Sequence, residues 1–313
     1  MSPDDGWTLG QAPCAAAPCT SVTRTTDGGR TWVGTAAPRT GPVQGTRGVD
    51  DLRFGSPTDG WAFGGELWST NDGTSWNPVA LPADTAVVSL AADRGRVVAA
   101  YARCDASGCT GTTLRAGDSS GDRFTPLPGA STLPGTAEVA MHAGTVWATS
   151  VTNGTVHLVR GRADGTEAVR QLSPPCAGGT TSARVAPGGG TDVALACQQG
   201  AGTPTRVYRS TDGGQTWDAG FTLDLPGRQQ PGSLSSLALS PTGVLLVAND
   251  ADGLVLRVPG GSTTAEPQLD GGFRFVGWTS STQAVAVPGT PHRGELYLTR
   301  VGGGTWTKIQ IRP

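Results

Sequence analysis

The sequence lacks the basic surface, the long apolar runs and the cysteine spacings that several functional classes require. Lys308 is its one lysine and the formal net charge is −2, which disfavours nucleic acid and anionic membranes as partners. No stretch approaches the roughly 20 apolar residues of a membrane-spanning helix, so no transmembrane segment is expected. There is no CxxC pair and no histidine beside a cysteine, so we expect neither a zinc site nor any other metal or cofactor.

A convincing amphipathic helical pattern is also missing, and short apolar runs separated by turn residues take its place. Runs such as VVSLAA, GVLLVA and QAVAVP predict buried strands. The 48 glycines and 23 prolines supply the turns, and this pattern is typical of an all-β sandwich, barrel or propeller. The nine tryptophans recur in similar contexts, which indicates an internal repeat.

Six cysteines, an even number, predict disulfide bonds and therefore an oxidising compartment. Many pairings are possible, and local spacing favours Cys14–Cys19, Cys104–Cys109 and Cys176–Cys197. A secreted, periplasmic or cell-surface location follows. No signal peptide is visible, and the start Met1-Ser2-Pro3 is interpreted as one added after a signal or anchor was removed.

Three segments share one pattern: TTDGGRTW ending at Trp32, STNDGTSW ending at Trp76 and STDGGQTW ending at Trp217. Five residues before each tryptophan stands a polar side chain that can accept hydrogen bonds from the backbone of a hairpin turn. Glycine provides the positive φ of the turn, and the tryptophan is expected to bury its ring between neighbouring sheets. The predicted structural residues of these turns are Asp27, Trp32, Asn71, Trp76, Asp212 and Trp217.

The spacing of the pattern predicts seven repeats. Trp32 and Trp76 are 44 residues apart, Trp76 and Trp217 are 141 apart (three steps of 47), and Trp217 and Trp306 are 89 apart (two steps of about 44). Degenerate copies are expected to end at Phe124, Val169, around Ser262 and at Trp306. One domain over 1–313 would then contain seven blades, approximately 1–44, 45–84, 85–130, 131–174, 175–228, 229–269 and 270–313. The first blade is expected to lack its innermost strand, because the sequence starts at the turn after it.

The combination of GWAFG with LWSTNDGTSW resembles the bacterial BNR/Asp-box propellers, in particular the Ycf48-like branch and bacterial proteins called sialidase-like. The resemblance extends over the whole chain as repeats. It implies an all-β, seven-bladed β-propeller of four-stranded antiparallel blades with Asp-box turns. It does not imply one activity, because Asp-boxes occur in sialidases, xyloglucanases, receptors and non-enzymatic binders alike.

The residues of a sialidase site are incomplete in this sequence. The Arg-Ile-Pro motif is absent, and of the three tyrosines only Tyr101 is expected near the ligand face, since Tyr208 and Tyr297 precede turns in strand C. A carboxylate-pair hydrolase needs two facing acids, for which the candidates are Asp50, Asp51, Glu138 and Asp270. Loop acids in contact with solvent are the alternative interpretation. No catalytic residue is therefore assigned.

Three arginines form the one predicted ligand-binding group. Aligning the innermost strands as L-R-F, A-R-V and F-R-F places Arg53, Arg184 and Arg274 at one position, where other blades carry Ala91, Ala140 and Ala238. Arginines converging on an axial channel would attract an anion, a carboxylate or an acidic peptide. Alternatively, each pairs with Asp50, Asp51, Glu138 or a nearby acceptor and closes the channel.

The sequence therefore favours an extracytoplasmic, non-catalytic scaffold that binds an unidentified protein or glycan through its loop-rich face and axial channel. The disulfides are expected to stiffen that face. A glycoside hydrolase, sialidase-like or other, with carboxylates in the axial cleft is the alternative, and a spacer module of a larger envelope protein is a third. Trp68 and the loops between the second and third strands of each blade could carry contacts, although Trp68 is expected to pack between blades.

Overall fold

The structure is a computed structural model that describes residues 4–12, 14, 19–105, 108–200, 202–223, 232–250, 253–257, 263–265, 269, 271–289, 292 and 294–311. Asp270, Ser262 and the start Met1-Ser2-Pro3, which the sequence singled out, lie outside these residues. The chain divides into two compact units, the first made of residues 1–150, 159–171 and 313 and the second of residues 151–158 and 172–312. The described residues form strands and turns, and none of them forms a helix long and apolar enough to cross a membrane.

The strands form seven antiparallel sheets in which each strand pairs with the next along the chain. The first sheet has three strands, β1 (Gly6–Ala12), β2 (Cys19–Thr25) and β3 (Val33–Thr35). The second has β4 (Val49–Phe54), β5 (Gly60–Gly64), β6 (Leu67–Thr70) and β7 (Asn77–Pro78). The third has β8 (Thr85–Asp93), β9 (Arg96–Asp105), β10 (Gly108–Asp118) and β11 (Thr125–Pro126). The fourth has β12 (Ala137–His142), β13 (Thr145–Thr152), β14 (Thr155–Arg162) and β15 (Arg170–Leu172).

Three further sheets of four strands follow in the second unit. The fifth sheet has β16 (Ser182–Pro187), β17 (Val193–Gln198), β18 (Thr205–Ser210) and β19 (Phe221–Leu223). The sixth has β20 (Leu234–Leu239), β21 (Leu245–Asn249), β22 (Gly253–Arg257) and β23 (Thr263–Ala265). The seventh has β24 (Phe273–Trp278), β25 (Ala284–Pro288), β26 (Glu295–Thr299) and β27 (Thr307–Gln310). The fold class is an all-β, seven-bladed β-propeller, which confirms the prediction from the repeat.

The four strands of a complete sheet are called A to D here, in chain order. The turn after β2 has the same sequence pattern as the turn after β18, a strand C, so β1 and β2 are the B and C strands of the first sheet. Strand A of this sheet is therefore the one missing from the described residues, as the sequence predicts. Each sheet has a turn end, which carries the A–B and C–D connections, and a loop end, which carries the B–C connection and the connections to its neighbours.

The apolar core lies between successive sheets of each unit. In the first unit, Trp61 and Phe63 of β5 pack with Leu90 of β8 and the strand next to it. In the second unit, Leu246 of β21 packs against Phe273 of β24 and their neighbours. All five side chains are at most 2% exposed. The apolar residues of strands A, B and C therefore form the core, because they lie on faces that a neighbouring sheet of the same unit covers.

The C–D turns are held by networks of hydrogen bonds around one carboxylate. In the first sheet, Asp27 Oδ1 accepts the backbone N–H groups of Arg30 and Thr31, both at 2.9 Å, and Oδ2 accepts the Thr31 hydroxyl at 2.6 Å. The Thr25 hydroxyl donates to Asp27 at 2.8 Å and accepts the N–H of Gly29 at the same distance. The carboxylate therefore satisfies donors that the tight turn would otherwise leave unpaired.

The fifth sheet repeats this network at its own C–D turn. Asp212 Oδ1 accepts the N–H groups of Gln215 and Thr216 at 2.9 Å, and Ser210 replaces the threonine that precedes the first turn. Two degenerate copies keep part of the network. Asp164 accepts the N–H and hydroxyl of Thr166 in the fourth sheet, and in the seventh sheet a threonine hydroxyl still accepts N–H groups although the acid is gone.

The second sheet departs from the prediction by one residue. The turn acid is Asp72 and not Asn71, because Asp72 Oδ1 accepts the N–H groups of Thr74 at 2.7 Å and Ser75 at 2.6 Å. The Thr70 hydroxyl donates to the same oxygen at 3.0 Å. Counting five residues back from Trp76 gives Asn71, but this turn is one residue shorter than the others. In all three turns the acid lies two residues after a hydroxyl residue, which is Thr25, Thr70 or Ser210.

The tryptophans that end these turns are half-buried, which is less than the sequence predicted for Trp32, Trp76 and Trp217. Trp76 shows how such a ring joins two sheets. Its Nε1–H donates to the carbonyl of Ala36, which follows the last strand of the first sheet, at 2.9 Å. Its ring meets Phe54 of the second sheet edge to face, with 6.1 Å between the ring centroids. The turn thus anchors a side chain that links neighbouring sheets.

Acid is expected to weaken the fold through these turns. Hydrogen bonds hold the pKa of Asp27, Asp72 and Asp212 well below the ordinary aspartate value, led by the Thr31 hydroxyl, the Ser75 N–H and the Thr216 hydroxyl respectively. A pKa lower in the folded than in the unfolded chain stabilises the fold above about pH 4, and this contribution is lost as the pH falls below it. Each change to asparagine should lower Tm by about 2–4 °C near neutral pH.

Thermal melts followed by circular dichroism between about pH 3 and about pH 7 check this expectation. The triple variant D27N/D72N/D212N should lose less Tm on acidification than the unaltered chain, since it has fewer turn carboxylates to protonate. D84N, which removes an exposed carboxylate outside these turns, is the control and should keep the original dependence on pH. If Tm falls equally on acidification in the triple variant and in the unaltered chain, the turn carboxylates do not stabilise the fold in this way.

Candidate functional site

The three disulfides formed in the structure are the three predicted pairs, Cys14–Cys19, Cys104–Cys109 and Cys176–Cys197. Cys14–Cys19 and Cys104–Cys109 close the B–C hairpins of the first and third sheets. Cys176–Cys197 ties the segment that leads into β16 to the end of β17, again beside a B–C connection. Each disulfide therefore lies at the loop end of its own sheet, opposite the turn acids.

The Cys104–Cys109 disulfide also braces the segment that enters the third sheet. The backbone N–H of Cys104 donates to the carbonyl of Asp84 at 2.8 Å. Asp84 has a φ of 54°, a conformation that residues other than glycine seldom adopt and that needs support from its surroundings. The cross-linked hairpin supplies this support, so the Asp84 carboxylate is presented at the surface from a fixed backbone.

The three predicted arginines do not occupy equivalent positions in the A strands of their sheets. Arg53 pairs with Trp61, and one further residue pair separates this pair from the A–B connection. Arg184 pairs with Ala196, and three further residue pairs separate that pair from the connection. Arg274 lies at a β-bulge, between the pairs that Phe273 and Phe275 make with β25. The three-letter alignment was wrong because it matched letters and not their distance from the A–B connection. The register equivalent of Arg53 in the seventh sheet is Gly277.

The contacts of two of these arginines follow the alternative interpretation, in which they pair with nearby acceptors. The Arg53 guanidinium donates to the Leu52 carbonyl at 2.9 Å and lies 3.8 Å from Asp51 Oδ1. Arg184, in the second unit, donates to the carbonyls of Ser235 at 3.2 Å and Ala183 at 3.1 Å. Arg274, also in the second unit, is exposed. Their role as ligand-binding residues stays a prediction.

The tyrosines are placed in the core and not at a reactive surface. Tyr101, Tyr208 and Tyr297 are all less than 9% exposed. Burial raises the pKa of Tyr101 to about 12, against the opposing charge of Arg115, whose guanidinium lies 5.1 Å from the ring centroid. Tyr101 belongs to the buried apolar cluster that contains Trp61 and Leu90, so it is a packing residue.

The described acidic candidates lie on strand A of two different sheets. Asp51 faces Arg53, and Asp50 is the bulge residue of β4. Glu138 pairs with Thr149 inside the fourth sheet, and Asp270 lies outside the described residues. Within the described ranges, no three histidine, cysteine, aspartate or glutamate side chains are grouped as metal ligands would be.

A surface depression of about 250 Å³ lies at the loop end of the second and third sheets, entirely within the first unit. We call it the Trp68 depression, after the half-buried indole in its wall, which the sequence expected to pack between blades. Among the residues that line it are Glu66, Trp68, Pro78, Val79, Pro82 and Asp84. Glu66 comes from a B–C connection, while Pro82 and Asp84 come from the connection between two sheets.

Hydrogen bonds fix the walls of the Trp68 depression. The Trp68 Nε1–H donates to Glu66 Oε2 at 2.7 Å, which orients both side chains. The backbone N–H of Glu66 donates to the carbonyl of Gly48 at 2.8 Å. Gly48 has a φ of 79°, and a Cβ there would lie 2.2 Å from the Pro42 carbonyl oxygen, so only glycine allows this close approach. No single motif in the sequence signals the depression, because three separate connections build it.

No protein-family model matches the chain, and no curated protein matches it. Among solved structures, it resembles Ycf48 bound to a D1 peptide, with a TM-score of 0.56 and 16% identity over 88% of this chain and 86% of that one. It also resembles a mutant Aleuria aurantia lectin in complex with α-methyl-L-fucoside, with a TM-score of 0.51 and 13% identity over 93% of this chain and 97% of that one. A third likeness is to a Mycobacterium tuberculosis puromycin-hydrolysing peptidase, with a TM-score of 0.66 and 12% identity over 99% of this chain and 52% of that one. At these identities the shared property is the propeller fold.

Proposed function

We propose that this chain is an extracytoplasmic, non-catalytic scaffold that binds a protein or a glycan through the loop ends of its sheets. The observation that carries the proposal is the placement of all three disulfides, each at the loop end of its own sheet. Cross-links of this kind are typical of proteins in oxidising compartments. They stiffen the connections that would form a recognition surface, and a surface that is ordered before binding loses less entropy on binding.

The acids with a lowered pKa serve the turns. Asp27, Asp72, Asp164 and Asp212 are turn acids held by hydrogen bonds, with the pKa of Asp164 lowered to about 2, led by the Thr166 hydroxyl. A general acid for glycoside hydrolysis needs a pKa raised towards the working pH. The glycoside hydrolase alternative would therefore use Asp50, Asp51 or Glu138 and not the turn acids.

The structural likenesses are consistent with a binder and do not choose its ligand. One similar structure holds a peptide, and another, a lectin, holds a methyl fucoside. The third is of a peptidase. Because one fold carries unrelated functions, the proposal depends on the loop ends of this chain and not on the likeness.

A paired binding and turnover assay tests the proposal. The oxidised chain is immobilised and exposed to a glycan array and a peptide array, and the same glycans are assayed for released product. We expect saturable binding to members of one array, weakened at least about tenfold in C104S/C109S and unchanged in D164N, a turn-end variant. Thermal melts confirm that both variants fold. Release of product by the unaltered chain, but not by the D51N or E138Q variant, would instead support the hydrolase. Equal binding by C104S/C109S and the unaltered chain would overturn the proposal.

A further inference from the structure

The Trp68 depression combines an aromatic wall, apolar side chains and two carboxylates. The indole of Trp68 and the side chains of Pro78, Val79 and Pro82 provide the apolar surface. The carboxylates belong to Glu66 and Asp84, and none of the described residues that line the depression is basic. A ligand that fills it must therefore be partly apolar and carry positive charge.

The size of the depression fits one long side chain. Its volume is about 250 Å³, and an arginine side chain has seven heavy atoms beyond its Cα. A single residue presented by a larger molecule can therefore occupy it.

The charges of the depression are positioned for such a group. Glu66 Oε2 accepts the Trp68 indole N–H. The other carboxylate oxygen, Oε1, can then accept a hydrogen bond from a ligand. Asp84 is exposed and held by the Cys104 N–H at its carbonyl. The Glu66 carboxylate and the Asp84 backbone are thus held before the ligand arrives, which limits the entropy lost on binding.

A guanidinium satisfies these requirements better than an ammonium. It is planar and weakly hydrated, it stacks on an indole, and it donates in a fork that matches a carboxylate. We infer that the Trp68 depression is a subsite for an arginine side chain of a protein partner, a specificity that rests on the proposed binding function. The methylene stem of the arginine would pack against the prolines, and the guanidinium would lie between Glu66, Trp68 and Asp84.

The indole N–H resonance of Trp68 in a nuclear magnetic resonance titration tests this inference. The resonance is assigned by its loss in the W68F variant. The probe is acetyl-Gly-Arg-Gly-amide, and its matched analogue carries citrulline, which has the same shape without the charge. We expect a saturable shift with the arginine peptide that weakens as salt is added, and no such shift with the citrulline peptide.

Variants separate the charge of the depression from the charge of the whole chain. E66Q/D84N keeps the size of both side chains, and glutamine can still accept the indole N–H, so binding of the arginine peptide should weaken by about tenfold or more. D192N, in the second unit, removes one charge and should leave the titration unchanged. Equal shifts with citrulline, or full binding by E66Q/D84N, would overturn the inference.

The two proposals fail in different ways. If a neutral glycan shifts the Trp68 resonance and the arginine peptide does not, the depression is a sugar site, and the inference is wrong while the binding function holds. If loop-end variants weaken array binding but no arginine-containing peptide is among the ligands, the inference again fails alone. If neither array gives saturable binding and the arginine peptide gives no shift, both are wrong.

Discussion

Replacing Gln198 by leucine is expected to lower the free energy of unfolding by about 3–5 kcal/mol, since three backbone groups would lose their partner. Gln198 is 1% exposed at the end of β17. Its Nε2 donates to the carbonyls of Thr203 at 3.0 Å and Gly232 at 2.7 Å, and its Oε1 accepts the N–H of Leu234 at 2.7 Å. One side chain therefore links the fifth sheet, its own B–C loop and the first strand of the sixth sheet, and leucine can make none of these bonds.

The neighbouring Gln199 provides a matched control. It is exposed, and its Nε2 donates to the carbonyl of Gly178 at 2.8 Å. After substitution, a water molecule can donate to that carbonyl instead. Urea denaturation should show a change of no more than about 0.5 kcal/mol for Q199L. Similar losses for Q198L and Q199L would show that burial of the three-bond network does not decide the stability of this region.

Replacing Trp61 by alanine is expected to lower the free energy of unfolding by about 3–5 kcal/mol, because it opens a cavity in a packed core. Trp61 is 1% exposed and packs with Phe63, Leu67 and Leu90 between the second and third sheets. It lies in the GWAFG segment of β5. Denaturation monitored by circular dichroism measures the loss.

Two further substitutions separate packing from polarity at this position. In the described part of the chain, Trp61 Nε1 is buried without a hydrogen-bond partner. W61F keeps most of the apolar contact and removes that polar atom, so it should cost far less than W61A, about 1 kcal/mol. W68A, at a half-buried surface indole, should cost less than W61A as well. A W61F loss as large as that of W61A would contradict the packing explanation.

The repeat made the fold predictable, because its signals are local. A turn acid, a glycine and a tryptophan recur at nearly constant spacing, and strands fill the intervals, so the number of sheets follows by counting. Strand A of the first sheet, which the described residues lack, could be predicted for the same reason. Two of the disulfide pairs were predictable because cysteines five residues apart, as Cys14 and Cys19 are, can close one hairpin.

The candidate site was less predictable, because it depends on register and on contacts between distant segments. Arg53 and Arg274 share a three-letter pattern, but Arg53 is one residue and Arg274 is four residues before the last paired residue of its strand. The Trp68 depression needs Glu66 and Asp84, which are 18 residues apart and meet only once the second and third sheets pack. Such a site has no local signal that the sequence alone could supply.

The shorter turn at Asp72 shows which part of the repeat is fixed and which part is free. The acid keeps its distance from the preceding threonine, while the stretch between acid and tryptophan loses a residue, and the ring of Trp76 still reaches the neighbouring sheet. Length in that stretch is thus uncoupled from the hydrogen bonds that hold the turn. Repeats of this kind can therefore change in length between acid and tryptophan while the hydrogen bonds of the turn persist.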